Sequence, residues 1–593
     1  MTLDTVDWTI IVGFMVVTLA VGLAVTKRAG RSSADFFLSG RGMPWWILGV
    51  SMVATTFFAG TPNFVTDAVR QHGVAGNWIW WAFLLTGMMT VFIYAKLWRR
   101  SGVMTDIEFY ELRYSGRPAA FLRGFRALYL GVLFNIVVMA SANLAAIKIA
   151  GAMLGKTPIQ TILIAGAVTV VYSMLGGLTG VLITDVLLFI LSMGGAVAAA
   201  IYILGLDQIG GLSGLLAHQT VQEKLSIAPD FQDPEILIPV FVMPLAVQWW
   251  AVWYPGAEPG GGGYIAQRML AAKNETHATG ATLFFNVAHY ALRPWPWIIV
   301  ALCSLLVFPT IESLRTAFPH LDEHVVKNDL AYPAMMTLLP SGLRGLVLAS
   351  LIAAFMSTLS THLNWGASYV VNDVYKRFVR PHAPERELVL AGRLCTLTTM
   401  VAAALVSLWL SNALQVFKLL LQMAAGTGLV FLLRWFWWRI NAFSEITAML
   451  VSLVTAVSLD FAGPQELHSW EKILITVLVT TPAWLLVTFL TRPTADATLH
   501  RFCTLVRPGG PGWNATLAGI TRKNGKDPAE PEQAWSVPLG LLCMTIGCLA
   551  VYSALFAIGY WIYGQYPLAA LLTCIAAVGS FLLIATWSRI NAT

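Results

Sequence analysis

Charge is scarce in this chain. Asp, Glu, Lys and Arg make up 11% of 593 residues against 57% hydrophobic, with a mean hydropathy of +0.70. That balance excludes a soluble globular domain, whose surface needs far more charge. Cysteine is sparse too: Cys303, Cys395, Cys503, Cys543, Cys548 and Cys574 show no metal-ligand spacing, so neither zinc nor disulfides are expected. No basic soluble module is present, and the pI near 9.0 comes from loop charges, which removes nucleic-acid binding. No nucleophile, base and orienter recur at one depth. His289 and Glu258 are the one pair a membrane enzyme could use, and an enzyme is not expected.

What the chain does have is apolar runs long enough to cross about 30 Å of hydrocarbon. Fifteen are found, near 8-26, 46-68, 78-98, 124-154, 159-177, 180-204, 236-258, 277-309, 342-376, 386-411, 414-436, 440-463, 471-491, 536-561 and 567-588. The expected fold class is therefore an all-α polytopic membrane protein. Lys and Arg alternate from loop to loop as the positive-inside rule requires. With the N-terminus outside and the C-terminus cytoplasmic, only Arg70, Lys156, Lys224, Arg315, Lys327, Arg344 and Lys472 lie outside, and Lys148, Arg293 and Lys418 lie at membrane depth. Long basic side chains near helix ends usually snorkel to the interface, although these three also suit a carboxylate solute. Asp4 and Asp7 before the first run and Lys27 and Arg28 after it reverse the charge order of a cleavable signal, so that run reads as a retained helix.

Two runs are interrupted. The second breaks at Gly60-Thr61-Pro62, and the seventh at Pro255-Gly256-Ala257-Glu258-Pro259 with Gly260 to Gly263 following. Proline removes a backbone donor and glycine weakens helix, so both spans unwind there. The breaks are five spans apart and enter the membrane from opposite sides, which is the pattern of a five-plus-five inverted repeat with its binding site at the interruptions. Three regions follow: residues 1-43 as a first helix and loop, 44-437 as the ten-helix core, and 438-593 as four further helices with a basic cytoplasmic loop at 492-534. Gly60, Pro62, Pro255, Gly261 and Gly262 are the candidate hinge positions.

The run Leu351 to Asn364, LIAAFMSTLSTHLN, places Ser357, Thr358, Ser360 and Thr361 in an otherwise apolar helix. Ser357, Ser360 and Thr361 stand at i, i+3 and i+4 and so share one face. Neutral oxygens at that density suit a small hard cation. The same hydroxyls also suit bonds back to carbonyls one turn earlier, and both readings stand at this point.

Several stretches resemble the sodium/solute symporter family. Asp35-Phe-Phe-Leu-Ser-Gly-Arg41-Gly-Met-Pro44-Trp45-Trp46 is similar to the family's motif leading into its first core helix. TDIEFYELRY, with Thr105, Glu108, Arg113 and Tyr114, is similar to its second inside loop. Gly176-Gly177-Leu-Thr-Gly-Val-Leu-Ile-Thr184-Asp185, Tyr264-Ile-Ala-Gln267-Arg268, and LIAAFMSTLSTHLN with Asp373-Val-Tyr375-Lys376 follow in the expected order. The resemblance implies a first sodium site made by the carbonyls of Ala54, Phe57 and Ala354 and the hydroxyls of Ser357 and Thr358. It implies a second at Asp185 with Ser357, Ser360 and Thr361. A carboxylate in a membrane helix is costly without a counter-charge, which a cation would supply; capping or snorkelling at the inside helix end is the alternative.

Departures from the family pattern occur at Thr56, Phe58 and Leu188, and Pro259 with four glycines replaces the aromatic-Gly-x-Asn-Gln run of sugar-transporting members. Substrate class is therefore not carried over. Between the breaks, Thr61, Asn63, Trp253, Tyr254, Glu258, Asn286, His289 and Tyr290 are the candidate solute contacts. The expected function is sodium-coupled symport of a small polar solute (sugar, amino acid or carboxylate) across the plasma (inner) membrane by alternating access. Sodium is the coupling ion and the bilayer the other partner, and nothing calls for a protein partner. The alternatives are proton coupling through Asp185 and, behind it, a transporter-like sensor.

Overall fold

In lipid every backbone N–H and C=O must be satisfied within its own segment, which leaves helix as the economical solution for apolar runs this long. The computed structural model describes residues 3–29, 31–251, 259–319, 321, 326–409, 425–461, 463–464, 466–516 and 535–592. In chain order the helices used below are α1 (Thr5–Ala29), α2 (Trp45–Thr56), α3 (Thr61–His72), α4 (Val74–Ser101), α5 (Gly116–Gly151), α6 (Pro158–Leu204), α7 (Pro234–Gln248) and α8 (Gly263–Ala271). They continue as α9 (Glu275–Val307), α10 (Leu343–Val379), α11 (Glu385–Trp409), α12 (Ala442–Phe461), α13 (Ser469–Leu490), α14 (Asp496–Val506), α15 (Val537–Ile562) and α16 (Tyr566–Ala592).

Among the described residues ten helices are long and apolar enough to cross a membrane, or eleven with the bent pair α2–α3, whose axes meet at 58°. The shorter apolar stretches Thr5–Val21, Pro158–Val171 and Pro234–Gln248 stand in three further expected positions. The expected spans 159-177 and 180-204 form one bent helix, α6, with Gly177 at φ 52° and ψ −157° as its joint. The span expected at 414-436 lies partly outside the described residues, and Gly428–Leu433 within it is helical.

Lipid tails are as apolar as leucine, so helices associate through close packing and polar contacts rather than through burial from water. The seam between α5 and α10 shows this. A Cβ on Gly366 would stand 2.1 Å from Asn135 Nδ2 and 2.7 Å from the Gly131 carbonyl, so only glycine permits the approach. One turn earlier Asn135 Nδ2 donates to the His362 carbonyl at 2.7 Å. α10 is the most enclosed of the membrane-length helices and α16 the least, which puts the hydroxyl-bearing helix at the centre of the bundle.

The family-like motifs outside α10 pin segments together. Met43 N donates to the Ala271 carbonyl and Lys273 N to the Met43 carbonyl, tying the segment before α2 to the end of α8. Gln267 Nε2 donates to the Phe37 carbonyl at 3.0 Å and to Asn364 Oδ1 at 2.9 Å. In the loop between α4 and α5, Thr105 Oγ1 donates to Asp373 Oδ2 at 2.6 Å. Arg123 bridges Asp373 and Glu111, both at 2.7 Å, and Arg377 reaches Glu111 at 2.8 Å. Burial works against the Glu111 carboxylate, but hydrogen bonds from Arg377 and Arg123 outweigh it and hold the carboxyl below its ordinary value.

Candidate functional site

The break between α2 and α3 frees main-chain polar groups that need partners. At the end of α2, Phe57 N donates to the carbonyls of Val53 and Ala54, both at 3.0 Å, and the chain resumes as α3 with Gly60 before it and Pro62 in its first turn. α10 supplies the facing oxygens. Thr358 Oγ1 donates to the Thr55 carbonyl at 3.1 Å, so the hydroxyl next to Ser357 lies against the open end of α2. Ala54, Phe57, Ala354, Ser357 and Thr358 are all buried. Carbonyls at a helix C-terminus carry partial negative charge, and hard oxygens beside them suit an alkali cation.

A second set of oxygens lies near Ser51, one turn before Thr55. Ser357 Oγ donates to Asp185 Oδ1 at 2.7 Å, and Ser51 Oγ to Asp185 Oδ2 at 2.5 Å. Asp185 is fully buried on the second half of α6, so it neither caps that helix nor snorkels. Arg268 of α8, also fully buried, donates through Nη2 to Thr361 Oγ1 at 2.7 Å and stands 3.8 Å from Asp185 Oδ2. Thr55 Oγ1 and Thr361 Oγ1 are 3.0 Å apart. Ser360 instead donates back to the Ser357 carbonyl at 3.0 Å. Asp185, Ser357 and Thr361 thus come together, Ser360 turns into its own helix, and the positive charge beside the carboxylate is a guanidinium.

A cavity of about 60 Å³ lies next to the break, lined among others by Thr56, Thr86, Thr90, Tyr264, Asn286, His289 and Tyr290 and by Gly261 and Gly262. That volume admits about four waters, or the leading part of a small solute. His289 Nδ1 is 3.0 Å from Thr56 Oγ1. Asn286 Nδ2 donates to the Thr282 carbonyl at 2.8 Å, while its Oδ1 is buried with no partner. The Trp80 ring stacks on Tyr290 at 5.9 Å and meets His289 edge-on at 5.6 Å. Thr61 and Asn63 lie in α3 and do not line this cavity. Trp253, Tyr254, Pro255 and Glu258 lie outside the described residues.

Sequence reasoning missed Ser51 and Thr55 as site residues, and it treated Arg268 only as part of a motif. The available signal was the periodicity of α2, where Ser51 and Thr55 are four apart and so share the face carrying the terminal carbonyls. Arg293 is 1% exposed and does not snorkel. Nothing is described for the side chain of Lys148, and Lys418 lies outside the described residues.

A bent helix whose open end faces hydroxyls of a central helix, beside a cavity, defines a secondary transporter of the broken-helix class. The chain belongs to the sodium:solute symporter family, whose sequence model matches residues 36–452. It is a membrane-spanning transporter of small solutes with sodium as coupling ion, not an enzyme. A sodium/mannose cotransporter of Bos taurus is 28% identical over 495 residues, 78% of this chain and 80% of that protein. A sodium/glucose cotransporter of Vibrio parahaemolyticus is 26% identical over 511 residues, 81% of this chain and 89% of that one. A sodium/myo-inositol cotransporter of Sus scrofa is 28% identical over 505 residues, 78% and 71% of the two chains. A solved structure of a Na+-coupled sialic acid symporter, substrate-bound and outward-open, shares the fold with a TM-score of 0.67 at 20% identity, over 83% of this chain and 99% of that one.

Proposed function

We propose that this protein carries a small polar solute into the cell with sodium, by alternating access across the plasma (inner) membrane, with residues 44–437 as the transport core, the N-terminus outside and the C-terminus cytoplasmic. The observation that carries the reading is the contact of Thr358 Oγ1 with the Thr55 carbonyl at 3.1 Å, which draws α10 against the open end of α2. A sodium ion held by the carbonyls of Ala54, Phe57 and Ala354 and the hydroxyls of Ser357 and Thr358 would join the two helices and favour the solute-binding state. Its release to a low-sodium interior would let them part. Each sodium moved down 100 mV contributes about 2.3 kcal/mol, equivalent to roughly fifty-fold accumulation of a neutral solute. The sugar and inositol solutes named for the relatives support a polyhydroxylated solute. Asp185 with Ser357, Ser360 and Thr361 is the second sodium site of this reading, and sodium entering there has to displace Arg268 from the carboxylate.

The test is solute uptake into vesicles in sodium against choline, with Ser357→Ala and Thr358→Val alongside. Uptake is expected only in sodium. Each variant should raise the sodium concentration for half-maximal uptake about tenfold, since a lost oxygen ligand costs of order 1.4 kcal/mol. Equal uptake in both salts, or acid-driven uptake indifferent to sodium, would overturn sodium coupling.

A further inference from the structure

Asn286, His289 and Arg293 follow one another along α9, whose Ala288–Leu292 stretch is π-helical, with Arg293 N donating to the Ala288 carbonyl at 3.2 Å. Asn286 and His289 line the cavity, and Arg293 stands behind its wall. The Arg293 guanidinium donates through Nη1 to Thr56 Oγ1 at 3.1 Å and to the Val53 carbonyl at 3.3 Å. Its carbon lies 5.5 Å from the centre of the Phe57 ring and 5.1 Å from that of Trp297. The Nε is buried with no partner, and no described Asp or Glu stands within ion-pair distance. Ring faces and a helix C-terminus offset only part of the cost of taking a guanidinium out of water. Arg113 is held in a similar way, by two main-chain carbonyls and three rings, but against the α14 segment rather than beside a cavity.

Arg293 differs in what its charge reaches. Thr56, its hydrogen-bond partner, is itself part of the cavity wall, and no acidic residue lines that cavity among the described residues. The charge also bears on sodium. Val53 precedes Ala54, so the guanidinium and a sodium on the Ala54 and Phe57 carbonyls would crowd two positive charges onto one helix end. A negative charge in the cavity would relieve both, which is a direct electrostatic route to coupled binding of ion and solute.

Building on the symport reading, we infer that the solute is a hydroxylated carboxylate of sugar-acid type, its carboxylate at the Thr56–His289 end of the cavity within the field of Arg293. The recognition is electrostatic through Thr56 and His289, so Arg293 is a specificity-determining positioning residue. A neutral sugar would fill the same wall but leave the positive charge uncompensated.

The experiment is thermal shift of the purified full chain in sodium with D-gluconate and D-glucuronate against D-glucose, myo-inositol and L-serine, repeated in choline. The two carboxylates are expected to half-saturate the wild type at concentrations at least tenfold lower than the other three, and only in sodium. Arg293→Gln should reduce that preference at least tenfold, while Arg293→Lys, which keeps the charge, should retain most of it. A wild type that prefers a neutral sugar or the zwitterion in a sodium-dependent way overturns this inference and leaves symport standing. So does an Arg293→Gln protein with an unchanged preference. A sodium-independent shift by the carboxylates overturns the symport reading and the inference with it, and no shift with any of the five overturns the inference alone. If Arg293→Gln does not fold, the wild-type comparison alone decides.

Discussion

Arg268 Nη2 stands 3.8 Å from Asp185 Oδ2 with both residues fully buried, so a guanidinium and a carboxylate from helices far apart in sequence neutralise each other beside α2 and α10. Removing one partner of such a pair strands the other charge, which costs roughly 3–5 kcal/mol, whereas removing both costs much less. Asp185→Asn and Arg268→Gln should each lower the unfolding midpoint markedly, and the double variant should recover part of the loss. Losses that add within about 0.5 kcal/mol would show that the two charges do not interact.

Sodium cooperativity probes the same relationship from the ligand side. Asp185→Asn keeps the shape and removes the charge that would balance a second cation, so the Hill coefficient for sodium should fall from near two toward one. Arg268→Gln removes the competing cation and should leave the coefficient near two while lowering the sodium concentration that fills the second site. Unchanged cooperativity in Asp185→Asn would leave that residue as the counter-charge of Arg268 alone.

Gly261 sits in the cavity wall at φ +89°, where a Cβ would lie 2.6 Å from Met269 Cε and 3.2 Å from Thr90 Cγ2. Gly261→Ala is therefore strained both by its backbone conformation and by its neighbour, by about 1–2 kcal/mol from the first alone. If the segment is a hinge, transport should slow more than solute binding weakens, for Gly261→Ala and for Gly262→Ala, because alanine restricts its backbone. Adding Met269→Ala to Gly261→Ala should restore only the part due to the clash. If binding alone suffers, the segment is a contact surface rather than a hinge.

Glu111 bridges Arg123 and Arg377 in the loop between α4 and α5, and its carboxyl is held below the ordinary value. A depressed carboxyl binds fewer protons in the folded state than in the unfolded one. Its contribution is thus fully present above the unfolded value near 4.5 and is lost as pH falls through the folded value. Thermal unfolding from pH 7 to pH 3 should show Glu111→Gln destabilised at neutral pH and less sensitive to acid than the wild type. Parallel curves would mean that Glu111 contributes no pH-linked stability.

The helices were legible in the chain because each membrane span must satisfy its own backbone and present an apolar surface, both local properties of about twenty residues. The bend between α2 and α3 was legible for the same reason, since Gly60 and Pro62 act on their own helix. Partnership among the polar side chains was not. Four hydroxyls in one run look alike in sequence, yet Thr358 reaches the Thr55 carbonyl, Ser357 reaches Asp185, Thr361 accepts from Arg268 and Ser360 turns back on Ser357. Arg293 could have snorkelled by composition alone, but the packing of α9 against the end of α2 buries it beside Phe57 and Trp297. These outcomes depend on charges and helix faces separated by scores of residues. Their energies are set by distance and burial in the assembled bundle, and neither exists until the helices have packed.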